Sequence, residues 1–330
     1  METTETRITE KIRSANGLVL ILTHGDLDGV VSAIMMTKIL RESLTNTNHI
    51  EVVFTLPKWI HTHTETDVYD LIILLDIAVN NRDIKSAEKF MEKNKNKMIW
   101  IDHHYHPESF DDIIVGNPSY KSNVYLMRDL FVNFDFSEID DLIEMAHEAD
   151  QGKGDSVFHK ALKVNPQSDE TRYEIYRMGT VLRYGELYKK SYERLVKKAE
   201  YYDEKQFPNT MRIIEERVKQ YDCVSIVDIR HERKRRMDMT QLAFELYRKT
   251  PFVVIKYFGS NEKNHEFLKI SVTPKVKINL LDVFNLKSGA PFKVIIPNGF
   301  ASDQEIVKIL AEAYKKYREN EKVEKAEQSL

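Results

Sequence analysis

Along the first 150 residues, short runs that are apolar at almost every position alternate with longer stretches whose apolar residues recur at helical spacing. The runs fall at 18–23 (LVLILT), 50–56, 71–76 (LIILLD) and 98–102 (MIWID). Each is too short for a buried helix, and several are rich in the β-branched and aromatic side chains that suit a pleated surface. A strand apolar on both faces belongs in a parallel sheet covered by helices on each side. The stretches 30–44, opened by Gly29, 82–93, following Asn80-Asn81, 120–134 and 138–149 read as those helices. The pattern predicts an α/β domain built on a doubly wound, mainly parallel sheet.

The second half reads differently. From about residue 172 to residue 206 the chain is helical in pattern, dense in charge and tyrosine, and without a strand signal. A second α/β set follows, with strands at 223–228, 252–258, 267–273 and 292–297 and helices at 240–249 and 303–318. The charged tail 319–330 is expected to fray. This divides the chain into a first α/β domain over 1–170, a helical linker over 171–220 and a smaller α/β domain over 221–330, in keeping with about two domains of roughly 150 residues.

Composition narrows the class. Hydrophobic residues make up 42% and charged residues 31%, so a sizeable core is expected and wholesale disorder is not. The 49 basic and 52 acidic side chains leave a net charge of −3, which argues against a positively coated surface and leaves room for a local basic groove. Cys223 is the single cysteine, which excludes a disulfide framework and a cysteine-based zinc cluster. Residues 1–13 are polar and the run 18–22 is too short for a signal peptide. No stretch reaches the ~20 apolar residues of a membrane span. The expectation is a soluble cytoplasmic protein without a membrane partner, compatible with a homodimer.

The chemistry-bearing residues gather where the strands of the first domain end. The first strand runs into Thr23-His24-Gly25-Asp26-Leu27-Asp28-Gly29, the third ends in Asp76, and the fourth ends in Asp102-His103-His104. Glu148-Ala149-Asp150-Gln151-Gly152 adds a carboxylate at a helix end. Singly, each has an ordinary explanation: Asp-x-Asp-Gly is usually a turn or helix cap, and a strand-terminal Asp usually caps the next helix. The recurrence at three strand ends is what those explanations do not account for. Ligands of open parallel sheets bind at the carboxyl ends of strands, and so many carboxylates together repel one another unless a cation intervenes. Mixed His/Asp donors with a carboxylate to spare suit a pair of manganese or magnesium ions bridged by an aspartate.

In order and strand context these residues resemble the motifs of the DHH phosphoesterases: His24-Gly25-Asp26-Leu27-Asp28-Gly29 as the first, Asp76 as the second, Asp102-His103-His104 as the third and Asp150 as the fourth, over residues 18 to 152. The resemblance implies a dinuclear site, usually Mn²⁺ with Mg²⁺ as the alternative. His24 and Asp26 would hold one ion, Asp28, His103 and Asp150 the other, and Asp76 would bridge them. His104 would face the scissile phosphate, with Asp102 orienting the histidine pair. The compact His-x-Asp-x-Asp-Gly spacing looks more like RecJ exonucleases and their archaeal relatives than like nano-RNases or family II pyrophosphatases.

The same resemblance implies a C-terminal DHHA1-like domain that reads the substrate. There the sequence departs from the family pattern. The glycine-rich run ending in histidine is reduced to Ser288-Gly289-Ala290-Pro291, with Gly289 its only glycine, and Thr273 and Pro274 stand where an arginine is usual. The basic cluster 230–236, with Arg230, Arg233, Arg235 and Arg236, is the candidate replacement for gripping phosphate, since the arginine fork binds it in bidentate fashion; Lys275 and Lys277 could add to it. The alternative for that cluster is a solvated loop. The tyrosines of 173–202, at helical spacing, read as packing rather than as base-stacking platforms, and Trp59, His61 and His63 read as ordinary loop residues.

The expected activity is metal-dependent hydrolysis of phosphodiester bonds in single-stranded or short oligonucleotides, exonucleolytic in style. A small-nucleotide substrate, such as a cyclic dinucleotide or 3′-phosphoadenosine 5′-phosphate, is the alternative. A non-hydrolytic, Cdc45-like binding protein is a further alternative that predicts eroded metal ligands, whereas every ligand position here is filled.

Overall fold

The computed structural model describes residues 4–327 apart from 45–48, 64, 80–83, 105, 111–112, 165, 167, 182–184, 233–236, 259–265, 274, 287–292, 298 and 300. It divides into two compact units, Met1–Tyr202 and Asp203–Leu330. The boundary falls at the start of a π-helical turn, Tyr202–Gln206.

The first unit runs α1 (Thr4–Arg13), β1 (Val19–His24), α2 (Leu27–Ser43), β2 (Ile50–Thr55), β3 (Leu71–Leu75), α3 (Ile84–Asn94), β4 (Met98–Asp102), β5 (Ile114–Gly116), α4 (Asn123–Leu130), α5 (Asp140–Asp150), α6 (Val157–Val164), α7 (Asp169–Thr180) and α8 (Glu186–Tyr201). Its five strands pair in parallel in the order β2-β1-β3-β4-β5. Alternate residues of the central strands feed two cores. Val19, Ile21, Leu71, Ile73, Ile99 and Ile101 pack with α2 and α4 on one face, while Leu20, Leu22, Ile72, Leu74, Met98 and Trp100 pack with α3 on the other. Full burial of each such side chain is worth about 1.5–3 kcal/mol, so the apolar run of a strand translates directly into a strand covered on both faces.

Register places the site. Thr23 pairs with Leu75 and Leu75 with Ile101, so β1, β3 and β4 end level, and His24, Asp76 and Asp102 stand side by side. The chain leaves β1 toward β2 on one side and later adds β3 on the other, so the order reverses between β1 and β3. That is the crevice where open α/β sheets hold ligands.

Two expectations fail locally. The helix read over 172–206 is interrupted: α7 stops at Thr180, and α8 restarts after Gly185, whose φ of 105° suits only glycine. The fraying tail is instead helical as far as Glu327, with Arg318 reaching Glu321 at 3.6 Å along the helix.

The second unit runs α9 (Phe207–Arg217), β6 (Val218–Gln220), β7 (Val224–Asp228), α10 (Met239–Tyr247), β8 (Phe252–Phe258), β9 (Glu266–Val272), α11 (Leu280–Val283), β10 (Lys293–Pro297) and α12 (Asp303–Glu327). Its sheet, β10-β9-β8-β7-β6, is mixed, with β7 and β8 parallel across the α10 crossover and the other pairs antiparallel. No helix among the described residues is long and apolar enough to cross a membrane.

Candidate metal centre

Asp26 is the N-cap of α2, its Oδ1 accepting from the Gly29 amide at 3.1 Å. Capping leaves Oδ2 to meet His24 Nδ1 at 2.7 Å. Against the cost of burial, the neighbouring His24 holds the Asp26 carboxyl below the usual carboxylate range. A methyl on Gly29 would stand 2.3 Å from the His24 carbonyl oxygen, so glycine there lets α2 start hard against the end of β1.

Two residues further into the same helix, Asp28 is buried. Its two oxygens accept from the amides of Asn123 and Val124, at 2.7 and 3.0 Å. These are the first amides of α4, whose donors have no partner within their own helix. Burial, followed by the charges of Asp150 and Asp26, pushes the Asp28 carboxyl well above its ordinary range despite those two bonds.

Asp76 follows β3 with its backbone in the left-handed region, φ 54°. Its amide donates to Ile101 O at 3.1 Å, and the turn brings the buried carboxylate inward. His103 Nε2 lies 3.4 Å from Asp76 Oδ1, His24 Nδ1 3.8 Å from Asp76 Oδ2 and His104 Nδ1 3.9 Å from Asp76 Oδ1. Burial and the surrounding aspartates push Asp76 well up as well.

His103 has its Nδ1 3.3 Å from the Tyr120 carbonyl, which can only accept. The proton is thereby assigned to Nδ1 and Nε2 presents a lone pair. That Nε2 is buried with no hydrogen-bond partner, aimed at Asp76, Asp150 (3.6 Å) and Asp28 (3.8 Å). Burial, then the charge of His104, lowers the pKa of His103 and favours this neutral form. An orphaned imidazole nitrogen facing three carboxylates fits a cation, which would satisfy all four groups at once.

His104 is 43% exposed, with Nδ1 2.9 Å from Asp102 Oδ1. Burial opposes its charge, but the bond to Asp102 and the nearby carboxylates override it and raise the pKa to about 9. Asp102 is fully buried and is held to about 2 by His104 and by His106, against the effect of burial itself.

The donor atoms fall into three overlapping sets, each within 4.8 Å: His24, Asp26 and Asp76; Asp28, His103 and Asp150; and Asp76, Asp102, His103 and His104. All eight residues singled out in the first unit therefore meet in one cluster. Arg230 is engaged by two carboxylates, with Nε 2.9 Å from Asp228 Oδ1 and one terminal nitrogen 2.8 Å from Glu266 Oε2. Arg233, Arg235, Arg236 and Gly289 lie outside the described residues. The tyrosines of α7 are packing residues: Tyr173 edges onto Phe54 at 4.9 Å and Tyr176 bonds Thr37 at 2.8 Å.

Sequence reasoning missed three supports. His106 Nε2 lies 2.8 Å from Asp102 Oδ2, and its ring meets Trp100 edge-on. His147, one turn before Asp150, lies with Nδ1 2.7 Å from Ser122 Oγ and stacks on Tyr125, which ties α5 to the start of α4. Arg172 reaches the Gly25 carbonyl. For His106 the Asp-His-His-x-His spacing was a readable signal; the other two depend on tertiary approach. Because His106 is the buried partner of a buried carboxylate, His106→Ala should cost about 1–3 kcal/mol of stability. His106→Gln should recover part of it in urea unfolding, whereas an unchanged midpoint for the alanine variant would remove His106 from the support of the site.

Residues 18–151 match the DHH family, N-terminal domain. No curated protein matches the chain. Among solved structures, it is similar to the pGpG-specific phosphodiesterase PggH from Vibrio cholerae at 13% identity and a TM-score of 0.57, covering 91% of this chain and 99% of that one. An exopolyphosphatase-related protein from Bacteroides fragilis is similar at 16% identity and a TM-score of 0.57, with 95% and 96% covered. RecJ from Thermus thermophilus, in complex with Mn²⁺, is similar at 11% identity and a TM-score of 0.57. There 96% of this chain is covered but 54% of RecJ, so the chain spans about half that protein's length.

Proposed function

Because residues 18–151 carry a DHH family N-terminal domain, we propose that this protein is a manganese-dependent phosphodiesterase that hydrolyses single-stranded or short oligonucleotides from one end. The observation that carries the reading is the buried, unpartnered His103 Nε2 facing Asp28, Asp76 and Asp150. Asp28, His103 and Asp150 form one donor set for a divalent cation, and Asp76, 3.4 Å from His103 Nε2, belongs to the neighbouring set with His24 and Asp26.

In this reading His24 and Asp26 would hold one ion and Asp28, His103 and Asp150 the other, with Asp76 placed to serve both. Imidazole mixed with carboxylate suits Mn²⁺ better than the all-oxygen shell Mg²⁺ prefers. When bound, the cations supply charge neutralisation at the phosphate and acidify the water that attacks it. The chain's own groups do the rest. His104, whose bond to Asp102 favours its protonated form, can donate to the leaving oxygen or stabilise the added negative charge. Asp102, ionised and gripped from both sides, fixes the direction of that proton. Cys223, the single cysteine, is buried in the second unit.

The substrate contacts are assigned to the second unit, to Arg233, Arg235 and Arg236 and to the loop at Gly289, while Arg230 of the same cluster is engaged by Asp228 and Glu266. A small dinucleotide is the second reading, favoured by the likeness over nearly the full length of both chains to a protein named as specific for pGpG.

Incubation with Mn²⁺ and end-labelled RNA and DNA of graded length, beside a linear dinucleotide, tests both. Stepwise shortening from one end is expected for oligomers, and cleavage confined to the dinucleotide would favour the second reading. A protein that binds Mn²⁺ yet cleaves none of them would overturn the enzymatic reading altogether. Charge reversal at Arg233 and Arg235 should weaken oligomer binding steeply at low salt and less at high salt.

A further inference from the structure

One group that touches the candidate metal centre comes from outside the matched segment. Arg172 sits in the first turn of α7, beyond residue 151 where the family match ends, with its side chain 12% exposed. Its Nε donates to the Gly25 carbonyl at 2.7 Å, and its terminal nitrogens donate to Asp169 Oδ1 and the Pro166 carbonyl, both at 2.5 Å. The guanidinium therefore spends its fork on three oxygens of this chain, one of them in the loop that carries His24 and Asp26.

Gly25 carries the complementary signature. It is not among the described glycines with positive φ, so its backbone does not require the missing side chain. A methyl there would stand 2.4–2.6 Å from Nε, Cζ and a terminal nitrogen of Arg172, and these are its three nearest neighbours. The glycine makes room for the arginine. The helix that presents Arg172 is itself tied down, since Tyr173 donates to the Val52 carbonyl of β2 at 2.8 Å and Tyr176 bonds Thr37 of α2 at 2.8 Å.

We infer that Arg172 is a positioning residue that clamps the backbone at Gly25 and so fixes the His24 and Asp26 side chains on either side of it. The consequence for cation binding rests on the reading of His24, Asp26 and Asp76 as one ion's donors, whereas the clamp itself does not. The first unit then needs α7 to complete its centre, and a fragment ending near residue 151 would lack one of its supports.

The test uses the full chain, with Mn²⁺ alone as probe and hydrogen exchange of the peptide spanning 23–28 as an independent readout. In Arg172→Ala, exchange at Gly25 to Leu27 should quicken at least about tenfold while that of β3 stays unchanged. One of two Mn²⁺ affinities should fall about 10–100-fold, the cost typical of losing a group that orients metal ligands, with the other little altered. Arg172→Lys, which keeps the charge but loses the fork, should fall between. Gly25→Ala, which displaces the guanidinium from the opposite side, should reproduce the effect in the native background and add less than about twofold in the Arg172→Ala background. Unchanged exchange in Arg172→Ala, or a Gly25→Ala effect of equal size in both backgrounds, overturns the clamp. A wild-type protein that takes up no Mn²⁺ sinks the metal-centre reading instead, and the exchange measurements still decide the clamp.

Discussion

Replacing Asp76 with asparagine should lower turnover by about 10³-fold or more, equivalent to roughly 4 kcal/mol of transition-state stabilisation at 1.36 kcal/mol per decade. Asp76 is the carboxylate common to two of the donor sets, and it stands within 4 Å of His24, His103 and His104. No neighbour can take over from one side without abandoning the other. Asparagine is the informative substitution because it keeps the side-chain shape and tolerates the left-handed backbone at φ 54°. Alanine lacks the short polar side chain that eases this conformation in aspartate and asparagine, and would confuse folding with chemistry. In metal-free protein the asparagine variant should melt no lower than wild type at pH 8, since it mimics a carboxyl that burial and its neighbours already push toward the protonated form. What it should lose is the stabilisation that Mn²⁺ confers. Turnover within tenfold of wild type would show that Asp76 does not bridge.

Removing divalent cations should bring activity to background, and their effect on stability should grow with pH. Burial and mutual repulsion raise Asp28 and Asp76 well above the ordinary range, and Asp150 to about 7. A carboxyl raised in the folded state stabilises folding below its unfolded value near 4 and loses that contribution as pH climbs through the folded value. For Asp150 the loss is complete only above about pH 7, and for the two more buried aspartates it is spread upward from 4. Cations replace the departing protons. Mn²⁺ at 100 times its Kd should add about 2.7 kcal/mol, and its Kd should itself tighten from pH 5.5 to 8 as proton competition fades. At one fixed Mn²⁺ concentration the melting-temperature gain should therefore be clearly larger at pH 8, with protons released on binding in calorimetry. An equal gain at both pH values would mean that the buried carboxyls are not where the cation binds.

Much of the first unit was legible because its physics is local. Runs such as LIILL can be buried on both faces only in a covered parallel strand, and β1, β3 and β4 follow from them. The convergence of His24, Asp76 and Asp102 follows in turn, because parallel strands that end together present their next residues together. β5 escaped notice because three residues, Ile114–Gly116, carry no usable alternation. The break before α8 escaped because isolated glycines, here Gly179 and Gly185, give only a weak stop signal inside a charged helical pattern. Arg172 and His147 were invisible for a different reason. Their meaning lies in contacts with Gly25 and Ser122, 147 and 25 residues away in sequence, and no periodicity reports such approaches. In the second unit, residues 233–236 and 287–292 lie outside the described segments, so the basic cluster and the loop at Gly289 stand as proposals from sequence.

The level ending of β1, β3 and β4 has a consequence for how this centre can change over time. Its donors are held by counted lengths rather than by a rigid insert. Lengthening the connection that leaves Gly152 falls after the last of them, so insertions there should be tolerated and could carry new specificities. Deleting one residue from β3 is another matter. It would turn Ile73 and Leu74 to opposite faces and draw Asp76 back by about 3.3 Å, stranding the carboxylate common to two donor sets behind its neighbours. Drift by insertion should accordingly accumulate in the loops, while the number of residues in each of these three strands stays fixed.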